Sequence, residues 1–219
     1  MPSICRVALG HTIHMALLLL PTALLVGPGG VGPSAATFAI LVVLATVAES
    51  TLTSPCSRSE AARNGDPVAV RVAGMVETAL LAAFWAAQVE AVALGPGPLL
   101  LQIAGGGSVA AGILLRLGAI RTLGPRFVTD IDPVGPIVRE GIYAWLRHPS
   151  EVGLLLLAVG GPMLLGSPLT TLAAAVTFPS VSLRRIRRED AALAAIQQAN
   201  SGSCQFPLLP FDSLLALHA

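Results

Sequence analysis

The chain has 219 residues, of which 54% are hydrophobic and 11% are charged, and its mean hydropathy is +0.77. Soluble domains carry about 25% charged residues, so this composition excludes a fully water-exposed surface and favours an integral membrane protein. The net charge of +1 identifies no class of partner. We expect the membrane bilayer as a partner and no nucleic acid, and the oligomeric state stays open.

The cysteines and the first two histidines form no recognisable metal site. The three cysteines are widely separated and make no C-x-x-C pair, which is typical of incidental reduced thiols. His11 and His14 share a helix face. Without nearby acids or cysteines, polar contacts explain them better than the alternative, a metal pair, so we predict no metal. The cysteines are Cys5, Cys56 and Cys204.

Six apolar stretches, separated by proline-rich, glycine-rich or charged breaks, predict an all-α membrane bundle of about six transmembrane helices. They cover residues 7–26, 35–53, 68–94, 99–117, 149–165 and 169–188, with a short helical continuation to residue 198. The first stretch also has features of a signal peptide, but the apolar runs that follow favour a retained helix. We divide this single membrane domain into three N-terminal helices, residues 1–95, and a C-terminal core, residues 96–219.

A run of small residues lies in the fourth predicted helix and reads Gly105, Gly106, Gly107 and Ser108. It is not a phosphate-binding loop, because no strand precedes it and no lysine follows it. We predict that it lets another helix approach closely.

The arginines predict the orientation of the bundle. With six spans, every arginine falls on the side that holds both termini, and the turns after the first, third and fifth helices contain none. This is the positive-inside pattern. We therefore expect cytoplasmic termini in an inner (plasma) membrane.

Two polar clusters flank the predicted hairpin of helices five and six, at residues 141–153 and 184–190. Helix five rises roughly 25 Å and helix six returns roughly 30 Å, at about 1.5 Å per residue, so both clusters end on the cytoplasmic rim. Pro149 suits the first helical position, and the free N–H groups after it are able to bind an anion. The clusters predict a polar cleft at the membrane surface, with ordinary topology-setting arginines as the alternative.

The two clusters contain a compound motif. The first cluster supplies Gly141, Tyr143, Arg147, His148, Pro149 and Gly153, and the second supplies Arg185, Ile186, Glu189 and Asp190. This arrangement resembles the isoprenylcysteine carboxyl methyltransferase family and the related phospholipid methyltransferases. Those membrane enzymes show G-x-Y-x-x-x-R-H-P-x-Y-x-G and, after a helical hairpin, R-I-x-x-E-E. The resemblance covers about residues 110–210.

The resemblance implies a membrane enzyme that uses S-adenosylmethionine, without a metal, to methylate a lipidic or prenylated substrate at the cytoplasmic surface. An isoprenylcysteine-like carboxylate is the favoured acceptor and an amine the alternative. The methionine moiety needs an acceptor for its ammonium and donors for its carboxylate. Arg147 and Glu189 are the implied catalytic residues. The implied cofactor-binding residues are Tyr143, Arg147, His148, Gly153, Glu189 and Asp190.

Two positions depart from the family pattern. The second tyrosine of the first motif is Glu151 here, and the second glutamate of the later motif is Asp190. Asp190 keeps the charge, whereas Glu151 adds a negative charge that is expected to disturb the pocket or to recruit Arg147. A changed substrate, or reduced or lost activity, is therefore an alternative to an ordinary family activity.

Two other functions stay open. Some sterol reductases resemble the same C-terminal helices but bind NADPH, and a non-catalytic protein would keep the fold alone. Glu77 is a further open position, because an acid about two turns into the third helix is unusual in lipid. We expect an internal ion pair with Arg71 or Arg116 rather than a functional role.

Overall fold

The computed structural model describes residue 13 and residues 16–27, 32–52, 67–124, 138 and 140–200. Within these ranges, only the backbone is described for residues 50, 67–74, 188, 189, 192, 193 and 195–200. All regular structure in these residues is helical, which confirms the predicted all-α class for this part of the chain. The helices are α1 (Ala16–Val26), α2 (Pro33–Leu52), α3 (Pro67–Leu94), α4 (Leu99–Leu123), a 3₁₀ helix (Gly141–Ala144), α5 (Pro149–Leu164) and α6 (Pro168–Asn200). The three cysteines, His11 and His14 lie outside the described residues.

Helix α4 is longer than predicted, whereas α6 includes the predicted continuation to residue 198. The prediction ends the fourth helix at residue 117, but Ala119 and Ile120 are fully buried. Their apolar packing carries α4 to Leu123, and Gly124 with φ 54° ends it. Helix α6 runs unbroken to Asn200, because residues 189–200 contain no glycine or proline and are rich in alanine, the best helix former.

Helices α4 and α5 pack with their backbones in contact, more extensively than any other described pair. A Cβ atom on Gly105 would collide with the backbone nitrogen of Leu164 in α5 and lie 2.6 Å from the carbonyl carbon of Met163, and one on Gly112 would lie 2.7 Å from the carbonyl oxygen of Gly153. Between these glycines, Ser108 Oγ donates to the carbonyl oxygen of Leu156 at 3.0 Å. The predicted role of the small residues, close helix approach, is confirmed for Gly105.

Helix α5 lies at the centre of the described bundle and contacts α2, α3, α4 and α6. On one side, a Cβ atom on Gly161 would lie 2.9 Å from the ring of Phe38 in α2. Phe38 in turn stacks on Phe84 of α3, with ring centroids 4.3 Å apart. On another side, Ala158 packs against Phe178 of α6. Apolar contacts with α2 and α6, together with the close backbone contact with α4, therefore set the position of α5.

Helix α1 contains a proline, and α3 replaces the backbone hydrogen bonds that it disrupts. Pro21 has no N–H, so the carbonyl of Leu17, four residues earlier, lacks its usual partner within the helix. Trp85 Nε1 donates to that carbonyl at 2.8 Å. Gln88 Nε2 donates to the carbonyl oxygen of Leu18 at 2.6 Å. Oε1 of Gln88 accepts from the backbone N–H of Thr22 at 3.3 Å and from the Thr22 hydroxyl. Partner side chains of this kind make a proline tolerable in a membrane helix.

Glu90 of α3 caps the N-terminus of α6, at the end of the bundle opposite to His148. Its carboxylate accepts from the backbone N–H groups of Leu169 at 2.9 Å and Thr170 at 2.8 Å, and from the Thr170 hydroxyl at 2.6 Å. The first turn of a helix leaves these N–H groups without intrahelical partners, and negative charge is favourable there. Glu90 therefore ties the two helices together at this end.

Two described helices are long and apolar enough to cross a membrane: α3 over Met75–Leu94, and α4. Large apolar side chains are exposed on the outside of the bundle, among them Leu114 of α4 at 70% and Val176 of α6 at 65%. Hydrocarbon is a suitable environment for such surfaces. These features support membrane character, whereas the number of six spans and the cytoplasmic termini stay predictions.

Glu77 of α3 is exposed. Of its two predicted partners, Arg116 binds Glu49 and Ser150, and the side chain of Arg71 lies outside the described part of the chain. The ion pair expected for Glu77 therefore stays a prediction.

We expect Gly105→Ala to lower the free energy of unfolding by about 1–3 kcal/mol, because the added methyl group overpacks the contact between α4 and α5. Gly107→Ala is the matched control, since Gly107 is exposed on the same helix and a Cβ atom there meets nothing within 4 Å. The control should be neutral or slightly stabilised, because alanine favours helix over glycine. Thermal unfolding of both variants in one detergent measures the difference, and equal stability would contradict the packing.

Candidate functional site

The loop before α5 rests on the end of α4. Gly141 opens the 3₁₀ helix with φ 57°, a conformation that favours glycine. A Cβ atom on Gly141 would lie 2.9 Å from Oγ1 of Thr122, whose hydroxyl donates to the carbonyl oxygen of Gly118 at 2.9 Å. The side chain of Ile142 packs beside Gly118 as well. The glycine that begins the first motif thus has a steric reason to be there.

His148 and Pro149 begin α5. His148 is the N-cap residue, and its carbonyl oxygen accepts from the N–H of Val152 at 3.1 Å. Pro149 is the first helical residue and is fully buried, a position where its missing N–H leaves no hydrogen bond unmade. The predicted start of the helix at residue 149 is confirmed. Just before it, the Trp145 side chain is 86% exposed, which suits the membrane interface.

The two motifs meet at Asp190. Oδ1 of Asp190 lies 3.0 Å from Nε2 of His148 and 2.9 Å from Nη2 of Arg147. The His148 side chain is 9% exposed, that of Asp190 34%, and that of Arg147 51%. The cluster therefore runs from a buried imidazole to a solvent-facing guanidinium. The hairpin of α5 and α6 brings these residues together, as the helix lengths predict.

Glu151 is paired with an arginine other than the predicted one. Its Oε1 lies 3.2 Å from Nη2 of Arg185, and the side chains are 10% and 27% exposed, whereas Arg147, the predicted partner, binds Asp190. The reason is position: Glu151 lies in the first turn of α5 and faces α6, where Arg185 lies more than one helical turn before Asp190. A negative charge in the first turn is also favourable for the helix dipole. The added carboxylate thus forms an interhelical ion pair.

The other three predicted site residues have different surroundings. Tyr143 is partly buried on the 3₁₀ helix, where its N–H donates to the carbonyl oxygen of Glu140 at 3.1 Å. Gly153 is buried against α4, and a Cβ atom there would lie 2.7 Å from the carbonyl oxygen of Gly112, so the structure gives it a packing role. The backbone of Glu189 lies in α6, and its side chain is outside the described part. Cofactor binding by these residues stays a prediction.

Arg116 of α4 joins α2 to the first turn of α5, a contact absent from the sequence-based predictions. Its Nε and Nη2 donate to the two carboxylate oxygens of Glu49, the latter at 3.4 Å, and its Nη1 donates to Ser150 Oγ at 3.2 Å. A signal existed in the sequence: an acid near the end of the apolar second helix and an arginine near the end of the fourth fall on the same predicted side. Their pairing depends on helix packing, which the sequence pattern does not show.

The C-terminal part of the chain is similar to a known enzyme family. Residues 105–195 match the model of the isoprenylcysteine carboxyl methyltransferase (ICMT) family. A stretch of 59 residues is 41% identical to the protein-S-isoprenylcysteine O-methyltransferase of Schizosaccharomyces pombe (strain 972 / ATCC 24843). That stretch covers 27% of this chain and 25% of the yeast protein. Residues 105–195, which include both halves of the site, therefore match the family that the motifs resemble.

We expect Arg185→Gln to lower the free energy of unfolding by about 1–3 kcal/mol, because it leaves the Glu151 carboxylate without its charge-assisted partner. Arg187→Gln, an exposed position on the same helix, is the control and should change stability by about 0.5 kcal/mol or less. Thermal unfolding measures both variants.

The double variant Glu151→Gln/Arg185→Gln should recover part of the lost stability, because no uncompensated charge then stays between the helices. A double variant that is less stable than Arg185→Gln alone would contradict this account of the pair.

Proposed function

We propose that the chain transfers a methyl group from S-adenosylmethionine to a lipidic acceptor, the carboxylate of an isoprenylcysteine-like substrate, at a membrane surface. The contact of His148 and Arg147 with Asp190 carries this proposal, because it joins the two motifs of the matched segment into one polar site. The name of the yeast relative supports the same reaction class.

The side chains at this site fit the polar end of S-adenosylmethionine. Its ammonium group needs a carboxylate acceptor and its carboxylate needs cationic donors. Asp190 offers an acceptor that is 34% exposed and Arg147 a donor that is 51% exposed, so a ligand is able to reach both. We place Arg147 and Glu189 in contact with the reactants as the catalytic residues. The proposed cofactor-binding residues are Tyr143, Arg147, His148, Gly153, Glu189 and Asp190.

A carboxylate acceptor agrees best with the ion pairs of the site. When bound, S-adenosylmethionine supplies an electrophilic methyl group on a sulfonium centre. An ionised carboxylate attacks without losing a proton, whereas a protonated amine needs a general base. Glu151 is paired with the guanidinium of Arg185 and Asp190 with that of Arg147, so each of these carboxylates is already engaged with a cation and is poorly suited to act as a general base. The protein then contributes mainly by aligning the reactants.

We propose that the site faces the cytoplasm from an inner (plasma) membrane, in a bundle of six spans with cytoplasmic termini. The one-sided distribution of the arginines supports this orientation, and the exposed Trp145 beside the site suits the interface. In this arrangement residues 1–95 form the N-terminal helices and residues 96–219 the core that carries the site. A lipidic substrate reaches such a site from the bilayer.

Purified full-length protein in lipid nanodiscs should bind S-adenosylhomocysteine and not NADPH, as measured by isothermal titration calorimetry. With methyl-tritiated S-adenosylmethionine and N-acetylated farnesylcysteine, it should then form a base-labile methyl ester. Binding of NADPH alone would support a reductase, and binding of neither ligand would support a non-catalytic protein. A labelled amine lipid from a membrane extract, with no ester formed, would overturn the choice of acceptor.

His148→Ala and Glu189→Ala should each reduce S-adenosylhomocysteine binding by at least about 100-fold, because each removes a charged or polar partner of the ligand's zwitterionic end. Arg187→Ala, at an exposed position on the same helix as Glu189, is the control and should bind normally. Calorimetry on protein that elutes as a single species from size exclusion measures the loss. Normal binding by both variants would refute the site assignment.

A further inference from the structure

A carboxylate from α2 is linked to the helix that carries His148. Glu49 lies near the C-terminal end of α2, outside the family match at residues 105–195. Arg116 binds both carboxylate oxygens of Glu49 and, through Nη1, the hydroxyl of Ser150 at 3.2 Å. This Glu49–Arg116–Ser150 contact joins α2, α4 and α5 through side chains.

The Glu49–Arg116 pair differs from an ordinary surface ion pair. The side chains are 17% and 26% exposed, and both helices are apolar around them. Ionised groups in such surroundings are costly unless they are paired and hydrogen-bonded. The planar guanidinium holds the carboxylate through two donors in a fixed geometry. The pair therefore favours one relative placement of α2 and α4.

Arg116 contacts the first turn of α5 in two ways. Its side chain binds Ser150, the second residue of α5 and two positions after His148. Its backbone lies against Gly153, where a Cβ atom would be 3.2 Å from the backbone nitrogen of Arg116. One residue of α4 thus contacts the beginning of α5 at two positions, Ser150 and Gly153.

We propose that Glu49 is a positioning residue for the cofactor site: by fixing the side chain of Arg116, it sets the orientation of the first turn of α5 and hence of Arg147 and His148. This inference rests on the proposed function and deepens it, because it assigns part of the site to the N-terminal helices. Glu90 offers the comparison, since it also joins two helices through one carboxylate, at the far end of the bundle.

Hydrogen–deuterium exchange of the full-length protein tests the positioning without any ligand. Glu49→Gln should speed exchange of the Val152 and Gly153 amides by about fivefold or more, because the turn loses its anchor and opens locally. Glu90→Gln, the same chemical change, should speed exchange in the first turn of α6 and leave Val152 unchanged. Equal exchange at Val152 in the wild type and in Glu49→Gln overturns the proposal.

Enzyme kinetics test the consequence for the cofactor. Glu49→Gln should raise the KM for S-adenosylmethionine about tenfold while kcat changes less than about threefold, and Glu49→Asp, which keeps the charge, should recover most of the affinity. Ser150→Ala should raise KM less. The double variant should not exceed Glu49→Gln alone, because both residues act in one network. Additive effects, or a loss of folded protein with KM unchanged, overturn the proposal.

The two proposals fail separately. If the wild type binds no S-adenosylhomocysteine but Glu49→Gln speeds amide exchange at Val152, the proposed function is wrong, whereas the positioning of α5 by Glu49 is supported. If the wild type binds the ligand and Glu49→Gln alters neither exchange nor KM, the proposed function stands and the positioning role is wrong.

Discussion

Helices α4 and α5 touch backbone to backbone, because glycines stand where side chains would otherwise separate them. Gly105, Gly112 and Gly153 leave one register in which the helices interlock. That register puts Arg116 beside the first turn of α5 and the end of α4 beneath the 3₁₀ helix. Helix α6 packs on another side of α5, so its charged segment returns to His148. The polar site therefore depends on close backbone contacts between α4 and α5.

Among the described side chains at this end of the bundle, three ion pairs each join different segments. Glu49 and Arg116 join α2 to α4, Glu151 and Arg185 join α5 to α6, and Asp190 joins α6 to the residues that precede α5. Buried or half-buried charges at a membrane rim need partners of this kind. The pairs differ in exposure, and Arg147 is the most open of their members. The guanidinium of Arg147, which contacts Asp190, is therefore accessible from solvent.

The sequence was sufficient to predict the helices, the hairpin and the placement of the two polar clusters at the same end of the bundle, because these follow from apolar lengths and from a fixed rise per residue. The specific contact of His148 with Asp190 was not predicted. It was not sufficient to pair Glu151 with Arg185 or Glu49 with Arg116. Both pairings depend on how each helix is rotated about its axis. Helices that are apolar on all sides carry no amphipathic signal for that rotation. The prediction ended α4 too early because the buried Ile120 lies between Arg116 and Arg121, and charged residues of this kind are typical of a loop after an apolar helix.

Pro21 makes the backbone hydrogen bonding of α1 depend on α3. Leu17 lacks an intrahelical donor for its carbonyl, and the indole of Trp85 supplies one from a helix that follows much later in the chain. A backbone carbonyl left unsatisfied in apolar surroundings costs several kcal/mol, so α1 without α3 would lack part of its backbone hydrogen bonding. The hydrogen bonding of α1 is therefore completed only where α3 packs beside it. One proline thus makes the regular backbone of α1 a property of the folded bundle, because two side chains of another helix, Trp85 and Gln88, complete it.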